Sequence, residues 1–436
     1  MKNRLYPKIR NLLNNKDLLK NIQNSFYYFG GSFIAFLIAI FTQPIFSRYL
    51  ELNDFAVMGY FDAIQALLYP LFSMTLPFYY MARYWNSESG EEGHKNLSFI
   101  MNFLNISNAF VAIIAYMVLR YYFTAAQVVF PLMPFFLIVV VNLFFEKFKI
   151  FYLLECRVHK QGLCFFLINV LQIVVNTAFS LFFVVTLQGG AVGRMSGILL
   201  GVIVTGILSL IILLFQKKYS FSLKIDKTKL IPALKYCFPL IIGAYAYYPI
   251  GNIDKLFLER LDDIAEYGYY NIGLTIAGFV ATFFLAVYQS FEPDLYKMIA
   301  QKRHKDYKKY VAVYIGLMAF LTLAFIMVSH PIVYYLTAGR YAYAATYANV
   351  FVIGVFFMQI GGIYGQLFTA YSVTNLVMWR NIVMGVFCVI AYYWMIRYFQ
   401  FKGANITRVF AGLFYIISGT VLWLYYKKKH IKNKRE

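Results

Sequence analysis

Residues 195–215 read MSGILLGVIVTGILSLIILLF, a run of 21 residues without a single charge. A helix needs about 20 mainly apolar residues to cross the hydrocarbon core of a bilayer. Similar runs recur along the 436-residue chain, of which 61% is hydrophobic and 14% is charged. Soluble domains contain about 45–50% apolar and about 25% charged residues. The sequence therefore predicts an all-α integral membrane protein, and it excludes a soluble enzyme, a disordered protein and a disulfide scaffold.

Apolar runs of this kind predict about twelve transmembrane helices. They lie at residues 26–47, 56–80, 98–119, 128–150, 164–187, 195–215, 235–257, 268–291, 310–329, 345–371, 377–397 and 406–426. The longest connections, about residues 217–234 and 292–309, are too short for a soluble catalytic domain. The chain also lacks P-loop, HExxH and GxSxG motifs. We therefore expect a protein that is not an enzyme and does not itself hydrolyse a nucleotide.

The four cysteines show neither CxxC spacing nor a pairing pattern; they are Cys156, Cys164, Cys237 and Cys388. Isolated cysteines in apolar segments are commonly buried as small hydrophobic residues. We therefore expect no metal site and no resident cofactor. The only small ion that we anticipate is a coupling ion, either a proton or sodium.

The basic residues predict the orientation of the chain. The net charge is +21, since 40 Lys and Arg residues outnumber 19 Asp and Glu residues. In a soluble protein this excess indicates nucleic-acid binding, but in membrane proteins Lys and Arg concentrate in cytoplasmic connections. With twelve spans, 31 of the 40 basic residues fall on the side of the two termini. This split predicts a multi-pass protein of a bacterial cytoplasmic membrane with both termini cytoplasmic, and no nucleic-acid partner.

An internal repeat divides the spans into two sets. Residues 48–56 align without gaps on residues 260–268, at an offset of 212 residues. The matched pairs are Arg48 with Arg260, Leu52 with Ile264, Asp54 with Glu266, Phe55 with Tyr267 and Ala56 with Gly268. Each copy lies on the predicted outer side, between the first and second span of its set. Repeats of this kind place the substrate at their interface in transporters.

The repeat predicts two six-helix halves of the same orientation. The N-terminal half covers residues 1–216 with spans one to six, and the C-terminal half covers residues 235–436 with spans seven to twelve. Residues 217–234 form a basic cytoplasmic linker between them. An axis along the membrane normal would relate the two halves.

The pattern Pro44-x3-Arg48-Tyr-Leu-x4-Phe55 resembles the signature of bacterial polysaccharide repeat-unit transporters, the O-antigen (Wzx-type) flippases. These belong to the multidrug/oligosaccharidyl-lipid/polysaccharide (MOP) exporter superfamily. The family usually has glycine where this chain has Ala56, and the second copy keeps that glycine as Gly268. The resemblance implies a MATE-like fold and a polyprenyl-diphosphate-linked oligosaccharide as substrate, with polysaccharide assembly enzymes as partners. The lipid II flippases of the superfamily have fourteen spans, which favours the repeat-unit branch.

Polar residues at membrane depth are candidates for the substrate path, because charges inside a bilayer are costly. Asp62, Tyr80 and Arg83 follow one stripe of the second span at helical spacing. The alternative interpretation of Asp62 is a hydrogen-bond partner for a neighbouring helix. A lumen group linked to a proton or another cation is the functional interpretation.

The seventh span carries a second polar stripe, in which residues are spaced three and four apart. Its members are Tyr245, Tyr248, Asn252 and Lys255, followed by Glu259. Lys255 either contacts a phosphate or pairs with Glu259 at i+4. Tyrosine rings on these stripes are suited to stacking on sugars. We expect phosphate contacts from arginine and lysine, and the candidates are Arg48, Arg83, Lys255, Arg260 and Arg380.

Three functions agree with this layout to different degrees. A flippase moves the lipid-linked oligosaccharide to the outer leaflet by alternating access of the two halves. A cation-coupled multidrug exporter of the same fold would need acidic groups to dominate the lumen. A membrane enzyme, such as a polymerase or glycosyltransferase, would need a large outer loop that this chain lacks. The basic candidates favour the flippase.

Overall fold

The computed structural model describes residues 16–84, 90–222, 226–301, 303–371 and 373–432, and these are almost entirely helical. The helices are α1 (Lys16–Tyr49), α2 (Leu52–Ser73), α3 (Leu76–Tyr84), α4 (Gly90–Ala125), α5 (Phe135–Val158), α6 (Gly162–Leu181), α7 (Gly190–Phe215), α8 (Lys227–Gly251), α9 (Ile253–Leu258), α10 (Ile264–Ala300), α11 (His304–Leu336), α12 (Ala344–Ala370) and α13 (Thr374–Lys432). A π-helical turn (Phe182–Thr186) extends α6, and a 3₁₀ turn (Glu259–Leu261) follows α9.

The helices agree with the predicted spans, since each of the twelve predicted ranges overlaps a helix. Residues 128–134 of the fourth range precede α5, and the ranges 56–80 and 235–257 each cover two helices. Among the described residues, nine helices are long and apolar enough to cross a membrane. The ninth, α13, contains two predicted spans. Gln400 lies between them with φ 51° and ψ −133°, and it divides α13 into two arms. Helix α5 is also long enough to cross a membrane, but its five charged residues keep it from being one of these nine apolar helices.

The chain groups into two compact units. Unit 1 contains Met1–Thr42, Leu68–Phe123 and Leu132–Phe238, and unit 2 contains Gln43–Leu67, Thr124–Pro131 and Pro239–Glu436. Unit 2 therefore includes two segments from the N-terminal part of the sequence. The predicted half boundaries around residues 217–234 describe the repeat in the sequence, and they stay a prediction.

Unit 1 is built around a continuous apolar core from α3 to α8. Its fully buried members are Leu76, Leu97, Ile100, Met101, Leu104, Phe151, Cys156, Leu213, Ala233 and Cys237. The start of the basic linker is fixed to this core, since the Tyr219 hydroxyl donates to Asn102 Oδ1 at 2.7 Å. Asn102 Nδ2 in turn donates to the Ser220 carbonyl at 2.9 Å. The linker thus begins as an ordered extension of unit 1.

In unit 2, glycines on α12 and α13 each pack against an aromatic ring of the other helix. A Cβ added at Gly361 would meet the Tyr415 ring, and one added at Gly419 would lie 2.7 Å from the Tyr364 ring. Small residues in membrane helices allow such close approach, which supplies packing where no hydrophobic driving force exists. The two helices therefore interlock through reciprocal pairs of a glycine and a ring.

The internal repeat reappears in the helix boundaries. Helix α2 begins at Leu52 and α10 begins at Ile264, and these two residues are aligned in the repeat. Within unit 2 the two copies contact each other, since a Cβ on Gly268 would lie 2.8 Å from the Leu52 Cβ and closer still to the Leu52 carbonyl oxygen. The repeated sequence therefore forms a helix crossing with glycine at the tightest point.

Candidate functional site

A ladder of alternating charges lies within unit 2. Asp254 is completely buried on α9, and its Oδ2 accepts hydrogen bonds from Arg408 Nη2 at 2.7 Å and from the Tyr270 hydroxyl. Lys255 is buried beside Asp254, and it lies within electrostatic reach of both Asp254 and the exposed Asp62. Two carboxylates are thus matched by two cations on α2, α9 and α13. One oxygen, Asp254 Oδ1, has no hydrogen-bond partner among the described residues.

This arrangement bears on the predicted pair of Lys255 with Glu259. The Lys255 ammonium lies within electrostatic reach of Asp62 and Asp254, whereas the Glu259 carboxylate accepts from the Val129 N–H at 2.9 Å and pairs with Arg260 at 3.5 Å. The expected Lys255–Glu259 pair is therefore not the main interaction of either residue. Burial raises the pKa of the Glu259 carboxyl, although the Val129 N–H and the Arg260 guanidinium oppose that shift.

The tyrosine hydroxyls of the predicted seventh span donate to backbone carbonyls. The Tyr245 hydroxyl donates to the Leu67 carbonyl at 3.1 Å, and the Tyr248 hydroxyl donates to the Ala63 carbonyl at 3.2 Å. Asn252 is half-buried at the break between α8 and α9, where its N–H donates to the Tyr248 carbonyl. These two tyrosines therefore hold α8 against α2, and the predicted role of the stripe in substrate binding stays a prediction.

Arg380 is a deeply buried charge in unit 2. Its side chain is 1% exposed, and its guanidinium stacks at 3.4 Å over the Tyr415 ring. Nη2 donates to the carbonyls of Gly361 at 2.7 Å and of Tyr415 at 3.1 Å. No carboxylate of the described residues pairs with it, and Nε and Nη1 lack hydrogen-bond partners there. A buried charge normally has a partner of opposite sign, so Arg380 has spare capacity for an anion.

The two arginines of the repeat lie at the predicted outer rim. Arg48 is exposed in the last turn of α1, and Arg260 is exposed in the 3₁₀ turn after α9. Arg260 Nη1 donates to the Ala126 carbonyl at 2.5 Å. Both belong to unit 2, but neither contacts the charge ladder through a described hydrogen bond or ion pair. Their predicted role as phosphate contacts stays a prediction.

Tyr80 and Arg83 belong to unit 1. The buried Tyr80 hydroxyl donates to Glu155, whose other oxygen pairs with Lys218 at 3.0 Å and lies 3.3 Å from His159. Tyr80 therefore contributes to a buried polar cluster that ties α3 to α5 and to the linker. The side chain of Arg83 lies outside the described residues.

Comparisons with known proteins assign the chain to a family. The model of the family described as polysaccharide biosynthesis protein matches residues 22–293, which is more than half of the chain. The chain belongs to this family. Comparison of the sequence with curated proteins gives no match.

Solved structures show which fold the chain resembles. It is similar to the lipid II flippase MurJ in an inward closed conformation, with a TM-score of 0.70 and 16% identity over 91% of this chain and 86% of that chain. An inward-facing multidrug resistance MATE family transporter of the MOP superfamily gives 0.69 and 14% over 92% and 95%. The Vibrio cholerae MATE transporter VcmN in the bent form gives 0.56 and 14% over 94% and 98%. The predicted all-α, MATE-like fold is confirmed.

Three residues that form buried or long-range polar contacts could not be identified from the sequence pattern. Arg408 pairs with Asp254 although 154 positions separate them, and periodicity within one span contains no signal for such a pair. Glu155 accepts the hydrogen bond from Tyr80. It is one of five charged residues of α5, and this concentration of charge in an apolar helix is the sequence signal for a buried polar cluster. Arg340 binds the backbone of another helix, and its local sequence contains no signal for that contact.

Proposed function

We propose that this protein is a flippase that moves a polyprenyl-diphosphate-linked oligosaccharide of the O-antigen or capsule type from the cytoplasmic to the periplasmic leaflet. The observation that carries the proposal is the buried Arg380, which has two unpaired donors and no carboxylate partner among the described residues. A guanidinium of this kind is suited to a phosphate, since its planar fork binds two oxygens at once. The family and the fold support the same class of substrate.

The charge balance disfavours the alternative function, a multidrug exporter for organic cations. Such an exporter needs net negative charge along its path, but Asp62 and Asp254 are matched by Lys255 and Arg408. Arg380 then adds a positive charge within unit 2. An anionic head group is therefore the better electrostatic fit.

The matching experiment uses the full chain in liposomes that contain a labelled polyprenyl-diphosphate oligosaccharide. The wild type should transfer the lipid faster than empty liposomes do, and Arg380→Ala should reduce the rate at least tenfold, which is about 1.4 kcal/mol of lost interaction. Arg380→Lys should give an intermediate rate, because it keeps the charge and loses the fork. The measurement is the fraction of label that reaches the opposite leaflet with time.

The matched control is Arg397→Ala on the same helix, because Arg397 is exposed and, among the described residues, donates only to the Tyr393 hydroxyl one turn away. It should transfer lipid at the wild-type rate. Wild-type transfer no faster than that of empty liposomes, with folded protein, contradicts the flippase. Normal transfer by Arg380→Ala contradicts the anion site and leaves Arg380 as a clamp between helices.

The proposal includes a proton as the coupling ion. Arg408 already places a cation 2.7 Å from the buried Asp254 carboxylate, so a sodium ion there would have to displace the Arg408 guanidinium. A proton needs no such space.

A pH gradient across the liposome membrane should therefore accelerate transfer several-fold when sodium is absent. A sodium gradient at constant pH should leave the rate unchanged. Acceleration by sodium alone would reverse the assignment.

A place in polysaccharide assembly follows from this proposal. The protein would act in the bacterial cytoplasmic membrane, with both termini cytoplasmic as the distribution of basic residues predicts. Enzymes that build the lipid-linked unit would supply its substrate inside, and enzymes that polymerise the unit would consume the product outside.

A further inference from the structure

The last turn of α1 is held by a loop that lies almost 300 positions away in the sequence. Arg340, in the loop between α11 and α12, donates Nη1 to the carbonyls of Arg48 at 2.6 Å, Ser47 at 3.2 Å and Leu50 at 3.4 Å. The Tyr341 hydroxyl donates to the Leu50 carbonyl at 2.7 Å. The final carbonyls of a helix lack partners within the helix, and a positive charge there is favoured by the helix dipole. The loop therefore caps α1 from outside.

A second contact of the same kind lies at the other copy of the repeat. Arg260 Nη1 donates to the Ala126 carbonyl at 2.5 Å, and the Val129 N–H donates to Glu259 Oε1 at 2.9 Å. Residues 126 and 129 belong to the loop between α4 and α5. At the repeat offset of 212 residues, the loop at 337–343 corresponds to residues 125–131. The copy at residues 48–56 thus contacts the loop at 337–343, and the copy at residues 260–268 contacts the equivalent loop at 125–131.

The aromatic residue of the repeat takes part in both contacts. Phe55 packs edge-on against Tyr341 with ring centroids 5.9 Å apart, and the aligned Tyr267 packs against Phe130 at 6.0 Å. Both contacts therefore combine a guanidinium on carbonyl oxygens with a pair of aromatic rings. We call them clasp 1 (residues 47–50, 55, 340 and 341) and clasp 2 (residues 126–130, 259, 260 and 267).

All of these residues belong to unit 2, although the sequence repeat assigns them to different halves. In each clasp a segment of the N-terminal half is bound to a segment of the C-terminal half. Both clasps lie on the predicted outer side, so separation of the halves on that side requires both to open. Each clasp consists of a few hydrogen bonds, most of them to a charged group, together with a ring contact, and such contacts can be released during a transport cycle.

We propose that clasps 1 and 2 form the outer gate of the transporter, with Arg340 as the positioning residue that latches clasp 1. The repeated Arg-x6-aromatic motif would then serve gating through its backbone and its ring. This inference rests on the proposed alternating access. It concerns the gate and makes no claim about which substrate passes.

Ser47 offers a direct probe of the gate. It is 0% exposed, and its hydroxyl donates to the Leu336 carbonyl at 3.2 Å inside clasp 1. Ser47→Cys should be protected from a membrane-impermeant maleimide that is added to the outer side of the membrane. The same cysteine combined with Arg340→Ala should react at least fivefold faster, and Arg340→Lys should fall between the two. The chain without Ser47→Cys sets the background from the native cysteines.

Arg397→Ala again provides the matched control, because its only described hydrogen bond lies within its own helix. It should leave the labelling of Ser47→Cys unchanged. Equal labelling with and without Arg340→Ala, in protein that stays monodisperse, overturns the gate. So does equal acceleration by Arg397→Ala, or labelling only from the opposite side. The assay contains no lipid-linked substrate, so a failed flippase assay and a failed gate are distinguishable.

Discussion

Asp254→Leu should destabilise the protein by about 3–5 kcal/mol, because removing one partner of a buried ion pair leaves the other charge uncompensated. The stranded group would be Arg408, whose Nη2 lies 2.7 Å from Asp254 Oδ2 and 2.9 Å from the Gly251 carbonyl. Arg408→Leu should have a similar cost, since it would strand the completely buried carboxylate. The measurement is the free energy of unfolding in detergent micelles, followed by tryptophan fluorescence.

The double variant Asp254→Leu/Arg408→Leu should be much less damaging than the sum of the two single changes. Replacing both partners by apolar residues removes the desolvation of two charges together with their attraction, which is often neutral. The expected coupling between the two changes therefore exceeds 2 kcal/mol, about the upper range for residues in one network. Arg397→Leu serves as a control and should change stability by less than about 0.5 kcal/mol. Additive effects would mean that the two groups do not act as a pair.

The helices could be predicted from the sequence because each depends on one local property. Twenty apolar residues suffice for a span wherever they occur, so the run at 195–215 lies within α7 as expected. The repeat was equally visible, since Leu52 and Ile264 both begin helices. The break at Gln400 agrees with the sequence as well, because it lies in the more polar stretch between the predicted spans 377–397 and 406–426.

The candidate site was predictable only in its residue types. Costly charges at membrane depth marked Asp62, Lys255 and Arg380 as unusual, and the structure gives each a distinct electrostatic environment. The partner of Asp254 depends on how α9 meets α13, and a single sequence contains no information on that contact. Tyr80 illustrates the same limit, because a stripe position does not specify that Glu155 lies opposite.

Gly268→Ala should destabilise the protein by about 1–3 kcal/mol, the usual cost of extra atoms in a well-packed contact. The added Cβ would lie 2.8 Å from the Leu52 Cβ and nearer to the Leu52 carbonyl oxygen, so backbone would have to move. Gly278→Ala on the same helix is the control, because nothing lies within 4 Å of its Cβ position. That change should instead stabilise the helix by about 0.5–1 kcal/mol. Thermal unfolding in detergent measures both.

The opposite signs expected for these two alanines separate packing from helix propensity. Both positions lie within α10, so propensity alone predicts the same gain for both. A loss confined to position 268 would show that the crossing of the two repeat copies needs a residue without a side chain. The aligned Ala56 is completely buried, yet it carries a Cβ. The two copies therefore differ at the helix crossing. Position 56 accommodates a Cβ, whereas a Cβ at position 268 would meet the Leu52 backbone. Equal stabilisation by both alanines would show that α10 can shift away from Leu52 at little cost.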